Sequence, residues 1–220
     1  MKRLLVAVAV VGIGSGTAVA ALRPAVLPMD ARVFVDPSSK ALAIQFSGRV
    51  PAARPGDRVV MLVRDCMSRY FRQVGATTTT AGGGWTVLGG GGGTSGGFFL
   101  AGSGSTYQAR WKGRPTSPFT FRTRIKPFIW KYNPTQFSTW IALGFDDPLV
   151  PMGGRTVAVQ RLADNGWVTI RTLRLRAQDP RRFEARFTIP TPNLTIRVLA
   201  STRTARPCFN SGASDTVRTG

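Results

Sequence analysis

The sequence predicts an all-β protein: two tandem antiparallel β-sandwiches behind an export signal, divided as 1–21 signal peptide, 24–125 first module and 126–220 second module. Three observations carry that expectation. Apolar and polar residues alternate in short runs bounded by Gly, Pro, Asn and Asp. The second half repeats the order of the first. The leading residues have the three-part composition of a secretory signal.

In that leader, Lys2 and Arg3 give a positive start, Leu4 to Ile13 an apolar run, and Ala18, Val19 and Ala20 small residues at a cleavage point. The run is interrupted at Gly12, Gly14 and Gly16 and falls short of the ~20 residues that cross a bilayer. No transmembrane anchor is expected. No Cys follows the leader to accept a lipid, and Asp215 to Gly220 is polar. The expected location is secreted, or extracellular.

The mature chain opens on strands. Ala41 to Phe46 alternates, and Gly56-Asp57-Arg58-Val59-Val60-Met61-Leu62 lies against Gly153-Gly154-Arg155-Thr156-Val157-Ala158-Val159 when the halves are superposed. Phe71, Val74 and Thr77 to Thr80 then match Trp167, Ile170 and Arg171 to Arg176. Thr106 to Trp111 matches Leu194 to Leu199. The segment between, Gly82 to Gly104, reads as a glycine-rich insertion carrying Phe98 and Phe99 as loop aromatics able to touch a ligand. Lys126 and Pro127 mark the module boundary. Strands over Phe128 to Tyr132, Gln136 to Phe145, Arg182 to Ile189 and Leu194 to Ser201 complete the second half, with turns at Asp164-Asn165-Gly166 and Pro190 to Asn193. Between Val168 and Ile170 on one face and Leu173 and Leu175 on the other the alternation changes phase, which a β-bulge would explain.

The order Gly56-Asp57-Arg58-Val59, Phe71 with Val74 and a Thr tract, Gly84-Trp85, then Tyr107-Gln108-Ala109-Arg110 resembles the tandem immunoglobulin-like or fibronectin-III-like modules of secreted proteins from high-GC Gram-positive bacteria. The resemblance spans nearly the whole mature chain and rests on structural motifs. It implies the fold, and a role as spacer, adhesion or binding unit.

Cys66 and Cys208 fall one in each half. In an exported chain the even pair reads as a disulfide, with intermolecular bridging as the alternative. Gly93-Thr94-Ser95-Gly96-Gly97 matches the G-x-S-x-G pattern of a nucleophile elbow, but the chain has no histidine to take the serine's proton and no strand-turn-helix setting. Carboxylates are few. Glu184 is the sole glutamate, in a strand where it reads as exposed or salt-bridged, and Asp146-Asp147-Pro148 reads as a turn. No catalytic residue, metal or cofactor is called, and a hydrolase built on assembled carboxylates is the least favoured reading.

Charge is the remaining signal. Thirty basic residues stand against ten acidic, and losing Lys2 and Arg3 leaves 28 and ten, a net +18. Such a field draws polyanions. Arg171, Arg174, Arg176, Arg181, Arg182 and Arg186 form the densest cluster, expected on two neighbouring strands. Arginine outnumbers lysine 25 to 5, a bias that a GC-rich genome also produces. Trp130, Lys131 and Tyr132 form an aromatic and basic strip, although Phe128, Trp130 and Tyr132 share a face that is more often core. The expected function is a secreted, non-enzymatic structural or binding protein of the envelope or extracellular space. Its partner is an unknown protein or an anionic envelope polymer; nucleic acid would be bound only through non-specific charge.

Overall fold

The computed structural model describes residues 26–37, 42–90, 100–144 and 147–220. The leader, the G-x-S-x-G stretch, Phe98, Phe99 and Asp146 lie outside the described residues. In the first half, β1 (Met29–Val35), β2 (Leu42–Arg49), β3 (Arg58–Arg64), β4 (Arg72–Thr78), β5 (Gly84–Gly90) and β6 (Thr106–Trp111) are followed by the short β7 (Arg114–Pro115) and β8 (Phe119–Thr120). The second half holds β9 (Phe128–Lys131), β10 (Gln136–Ala142), β11 (Thr156–Ala163), β12 (Gly166–Arg174), β13 (Arg176–Ala177) and β14 (Arg182–Thr188). It ends with β15 (Thr195–Ala200), a four-residue helix α1 (Thr202–Ala205), β16 (Gly212–Ala213) and β17 (Val217–Arg218).

These strands form four antiparallel sheets. One has the order β1-β2-β5 and faces β4-β3-β6-β7, in which β8 also pairs β6. The other two are β13-β14-β10-β9 and β12-β11-β15-β16, with β17 also on β15. Each half thus sends successive strands across from one sheet to the other, as in the immunoglobulin-like fold. Alternation produces the layers. In β3 the inward Val59, Met61 and Val63 are buried, and in β6 Tyr107, Ala109 and Trp111 meet them. Phe46 of β2 packs on Tyr107 and edge-on to Phe119, at ring separations of 5.0 and 5.9 Å. A second core gathers Phe137 and Ile141 of β10, Val157 and Val159 of β11, Phe183 and Phe187 of β14, and Ile196 and Val198 of β15.

Gly84–Gly90, inside the segment expected to be an insertion, is strand β5. Trp85 and Val87 alternate into the first core with Thr86 and Leu88 outward, while the glycines stand at the two ends of the strand. Glycine richness obscured a strand whose inward residues are ordinary.

The internal repeat exists, one residue out of the expected phase at two places. Gly56 and Gly154 share a φ of 85° and open β3 and β11, so Val59 corresponds to Val157 and Met61 to Val159. Matching Gly56 to Gly153 sets buried residues against outward ones, the error a period of two allows. The last strands carry the same slip. Met61 pairs Ala109 and Val159 pairs Val198, which makes Tyr107 equivalent to Ile196. The match of Val74 with Ile170 holds. Both strand pairs shift register at this point, between Met61 and Leu62 and between Val159 and Gln160, leaving Val74 and Ile170 as the unpaired residues of two corresponding bulges.

Tyr107 supplies a tyrosine corner. Its hydroxyl accepts from the Ala101 N–H at 2.9 Å and donates to the Ala101 carbonyl at 3.4 Å, and burial pushes the phenol up to about 12. Asp57 holds the turn before β3. Its Oδ2 accepts from the Arg54 N–H at 3.0 Å and the Trp111 indole at 3.1 Å, and faces the Lys112 ammonium at 3.1 Å. These contacts, the Arg54 amide first, lower the carboxyl below its ordinary value of 3.8.

Between the halves, Cys66 and Cys208 form a disulfide with Cα atoms 5.6 Å apart. Ser103 Oγ donates to the Cys208 carbonyl at 2.7 Å and accepts from the Thr123 N–H at 2.9 Å. Arg122 Nε reaches the Pro207 carbonyl at 2.9 Å. Gly104, at a φ of 83°, passes so close that a Cβ there would lie 2.6 Å from Cys208 Cα and 2.8 Å from Cys66 Sγ.

Two outcomes are expected. Tyr107→Phe leaves the Ala101 amide without its acceptor and should cost about 1 kcal/mol in chemical denaturation, with near-UV dichroism otherwise retained. Asp57 has a depressed folded-state pKa, so its contribution is complete above the unfolded value and is lost as pH falls through the folded one. Asp57→Asn should therefore melt below the parent at pH 7, and the gap in Tm should close as the pH drops below about 4.

Candidate functional site

Six arginines drew attention in the sequence, and the fold separates them into two groups. β14 alternates, with Phe183, Ala185 and Phe187 inward and Arg182, Glu184, Arg186 and Thr188 on the other face. β13 brings Arg176 opposite Glu184. β12 belongs to the other sheet, so the expected pair of neighbouring strands is instead a pair of strands from different sheets. Where they face one another along the side of the second half, a groove of about 820 Å³ opens, lined by Arg171, Arg174, Arg176 and Arg186 with Thr172, Gln178 and Glu184. The bulge at Ile170 makes this arrangement. It lets Leu173 and Leu175 enter the core while Arg174 and Arg176 stay exposed.

Arg181 and Arg182 are not part of that lining. Arg181 Nη1 donates to the Gly144 carbonyl and, at 3.3 Å, to the Asp147 carbonyl, fastening the turn after β10. The Asp147 carboxylate completes that turn by accepting from the Gly144 N–H at 2.8 Å. Arg182 lies over the Trp140 ring, 5.5 Å from its centroid.

Glu184 is salt-bridged, as one of the two expected readings had it, and also buried at 9 % exposure. Arg186 Nε donates to Glu184 Oε1 at 3.1 Å, and that bond holds the Arg186 proton more firmly than usual. Arg171 Nη1 donates to the Thr188 carbonyl at 3.2 Å and so bridges the two sheets. These contacts fix both guanidinium groups while leaving N–H donors over for a ligand. Among the described residues, Glu184 is the only carboxylate lining the groove. Among the described residues no group of three His, Cys, Asp or Glu is placed to hold a metal ion.

A second concavity of about 640 Å³ adjoins the first. Arg171 and Arg186 line both, and Tyr132, Gln136 and Thr188 extend the surface toward β9. Here an expectation fails. Phe128, Trp130 and Tyr132 do share one face, but it is the outer one, with exposures of 45, 56 and 55 %. Register decides this. Trp130 stands opposite Ser138 and Phe128 opposite Trp140, and these are the outward residues of β10, whose inward ones are Phe137, Thr139 and Ile141. Phe128 and Trp140 stack at 5.7 Å. Lys131 points the other way and binds the Arg218 and Gly220 carbonyls at 3.2 and 2.6 Å. In the sequence the three aromatics outweigh Ile129 and Lys131 on the opposite phase of β9, so periodicity points to the wrong face here.

No family model matches the chain, and no curated protein matches it by sequence. Among solved structures it is similar to a tetra-tandem repeat from the extending region of a large adhesion protein, at a TM-score of 0.37 and 13 % identity over 88 % of this chain. The match spans 49 % of that structure, about half its length. It is also similar to the alpha chain of the chicken interferon gamma receptor, at a TM-score of 0.36 and 9 % identity over 87 % of this chain and 96 % of the other. No described helix is long and apolar enough to cross a membrane.

Because Arg181 is committed to carbonyls, Arg181→Ala should cost about 1 kcal/mol or more in denaturant titration. Its salt of elution from a heparin column should move no further than that of Arg203→Ala, a single exposed charge elsewhere.

Proposed function

We propose that this chain is an exported, non-enzymatic protein of the cell envelope or extracellular space that binds an anionic polymer through the arginine groove of its second half. The reading includes two sandwich modules, 24–125 and 126–220, joined where Ile125 enters the second core. The single observation that carries it is the convergence of Arg171, Arg174, Arg176 and Arg186, from two different sheets, on one groove. A compositional excess of arginine scatters charge over solvated faces, whereas this groove concentrates it on a concave surface with two of the forks oriented by internal contacts. The net charge of +18 that remains without Lys2 and Arg3 supplies attraction at longer range. The absence of histidine from the chain supports a binding role over catalysis.

The test is the salt dependence of binding to immobilised polyanion. Replacing the four groove arginines by alanine should lower the slope of log K against log salt by about 3 units, with affinity falling at least tenfold at about 0.15 M NaCl. Replacing Arg32, Arg69, Arg114 and Arg203, four exposed arginines on other surfaces, removes the same charge and should change the slope by less than about 1 unit. Equal losses from the two variants would reject the groove as the site.

A further inference from the structure

Beside the groove lies a surface that charge does not explain. The outward face of β9-β10-β14-β13 can be read row by row from its register: Trp130, Ser138, Arg186 in one row and Phe128, Trp140, Glu184, Arg176 in the next. Adjacent strands are about 4.8 Å apart and same-face rows about 7 Å apart. The aromatic rings therefore pass into the arginines without a step, on a platform roughly 14 Å across. Tyr132 closes the contact, since it lines the same concavity as Arg171 and Arg186. Three exposed aromatics side by side, unlike the scattered apolar residues of an ordinary surface, call for a partner.

We infer that this face binds an acidic polysaccharide, with Trp130 and Tyr132 as stacking platforms for sugar rings and Arg171 and Arg186 as forks for the acidic groups. The inference rests on the polyanion reading above and narrows it to one class of polymer. The flat C–H face of a pyranose is apolar with slightly positive hydrogens, and it packs on the negative face of an aromatic ring. Carboxylate or sulfate groups on the same polymer meet guanidinium forks in bidentate geometry.

Two further observations favour sugars over a nucleic acid or polyphosphate. Glu184, the one carboxylate among these arginines, would repel a chain charged at every unit, whereas it can accept from the hydroxyls that separate charges along a polysaccharide. Ser138, 1 % exposed between Trp130 and Arg186, has a buried hydroxyl with no hydrogen-bond partner among the described residues, a donor and acceptor that a sugar hydroxyl reaches where the Trp130 and Arg186 side chains move aside.

Binding of defined oligosaccharides of hyaluronan and unsulfated chondroitin, which carry a carboxylate on every second sugar, to the intact, disulfide-bonded protein tests this, with dextran, single-stranded DNA, inorganic polyphosphate and anionic lipid vesicles for comparison. Calorimetry at two salt concentrations should show tighter binding per charge to an acidic oligosaccharide than to DNA, polyphosphate or vesicles, and none to dextran. Trp130→Ala with Tyr132→Ala should weaken the oligosaccharide about tenfold or more with its salt slope unchanged, and leave polyphosphate binding within twofold. Trp130→Phe should recover most of the loss. Both side chains are more than half exposed, so circular dichroism should match the parent.

The inference is overturned if the aromatic variant binds the oligosaccharides as the parent does, or if the parent prefers DNA, polyphosphate or vesicles. Insensitivity to the aromatic change with sensitivity to the four arginine changes defeats this inference alone. Insensitivity to the arginine changes defeats the polyanion reading.

Discussion

The Cys66–Cys208 bond sets the terms for the rest of the molecule. It closes a loop with a sequence separation of 142 and so confines the unfolded chain, an effect worth about 5 kcal/mol in the chain-entropy view of cross-links. Its position adds to its weight. Cys208 is fully buried in the second core and Cys66 packs against that core from the end of β3 in the first half, so the covalent link is also a packing element. Ser103, Arg122 and Asn210 surround it with hydrogen bonds that satisfy backbone groups on both sides. An oxidising compartment is the setting in which such a bond persists, and the expectation of export made from the leader agrees with it.

Around that junction the two halves solve one folding problem with different details. Both cross between sheets in the same order, and both place a bulge at corresponding points of β4 and β12. The first half fixes its return crossing with the Tyr107 phenol, while the second has Ile196 there, paired with Val217 of β17. The halves also differ in their outer faces. Val60 and Leu62, outward on β3, are flanked by arginines, whereas the outward face of β9, β10 and β14 carries stacked aromatics and a buried carboxylate.

Much of the fold was legible because alternation, turn residues and order are written locally. Strand positions in the second half, the bulge near Ile170 and the Asp147 turn could all be read from neighbours in sequence. What eluded reading depends on partners distant in sequence. The face that Trp130 presents follows from its pairing with Ser138, and the local pattern of three aromatics against Ile129 and Lys131 points the other way. The division of six arginines into groove, turn clamp and cation–π partner follows from which sheet each strand joins, a non-local fact. Repeat matching slipped by one residue in β3 and β6 because loosely similar strands align nearly as well out of phase as in phase.

The extra residue at Ile170 sets a rule for how this chain can change. Elsewhere in a strand, losing one amino acid turns the rest of it half a revolution and brings core side chains out into water. At Ile170 the chain carries a spare: taking it out leaves Thr169 opposite Gln160 and Arg171 opposite Val159 in an unbroken ladder, with Leu173 still opposite Val157 and in the core. A shortening by one residue is absorbed here, and what it removes is the local bend rather than the inward face.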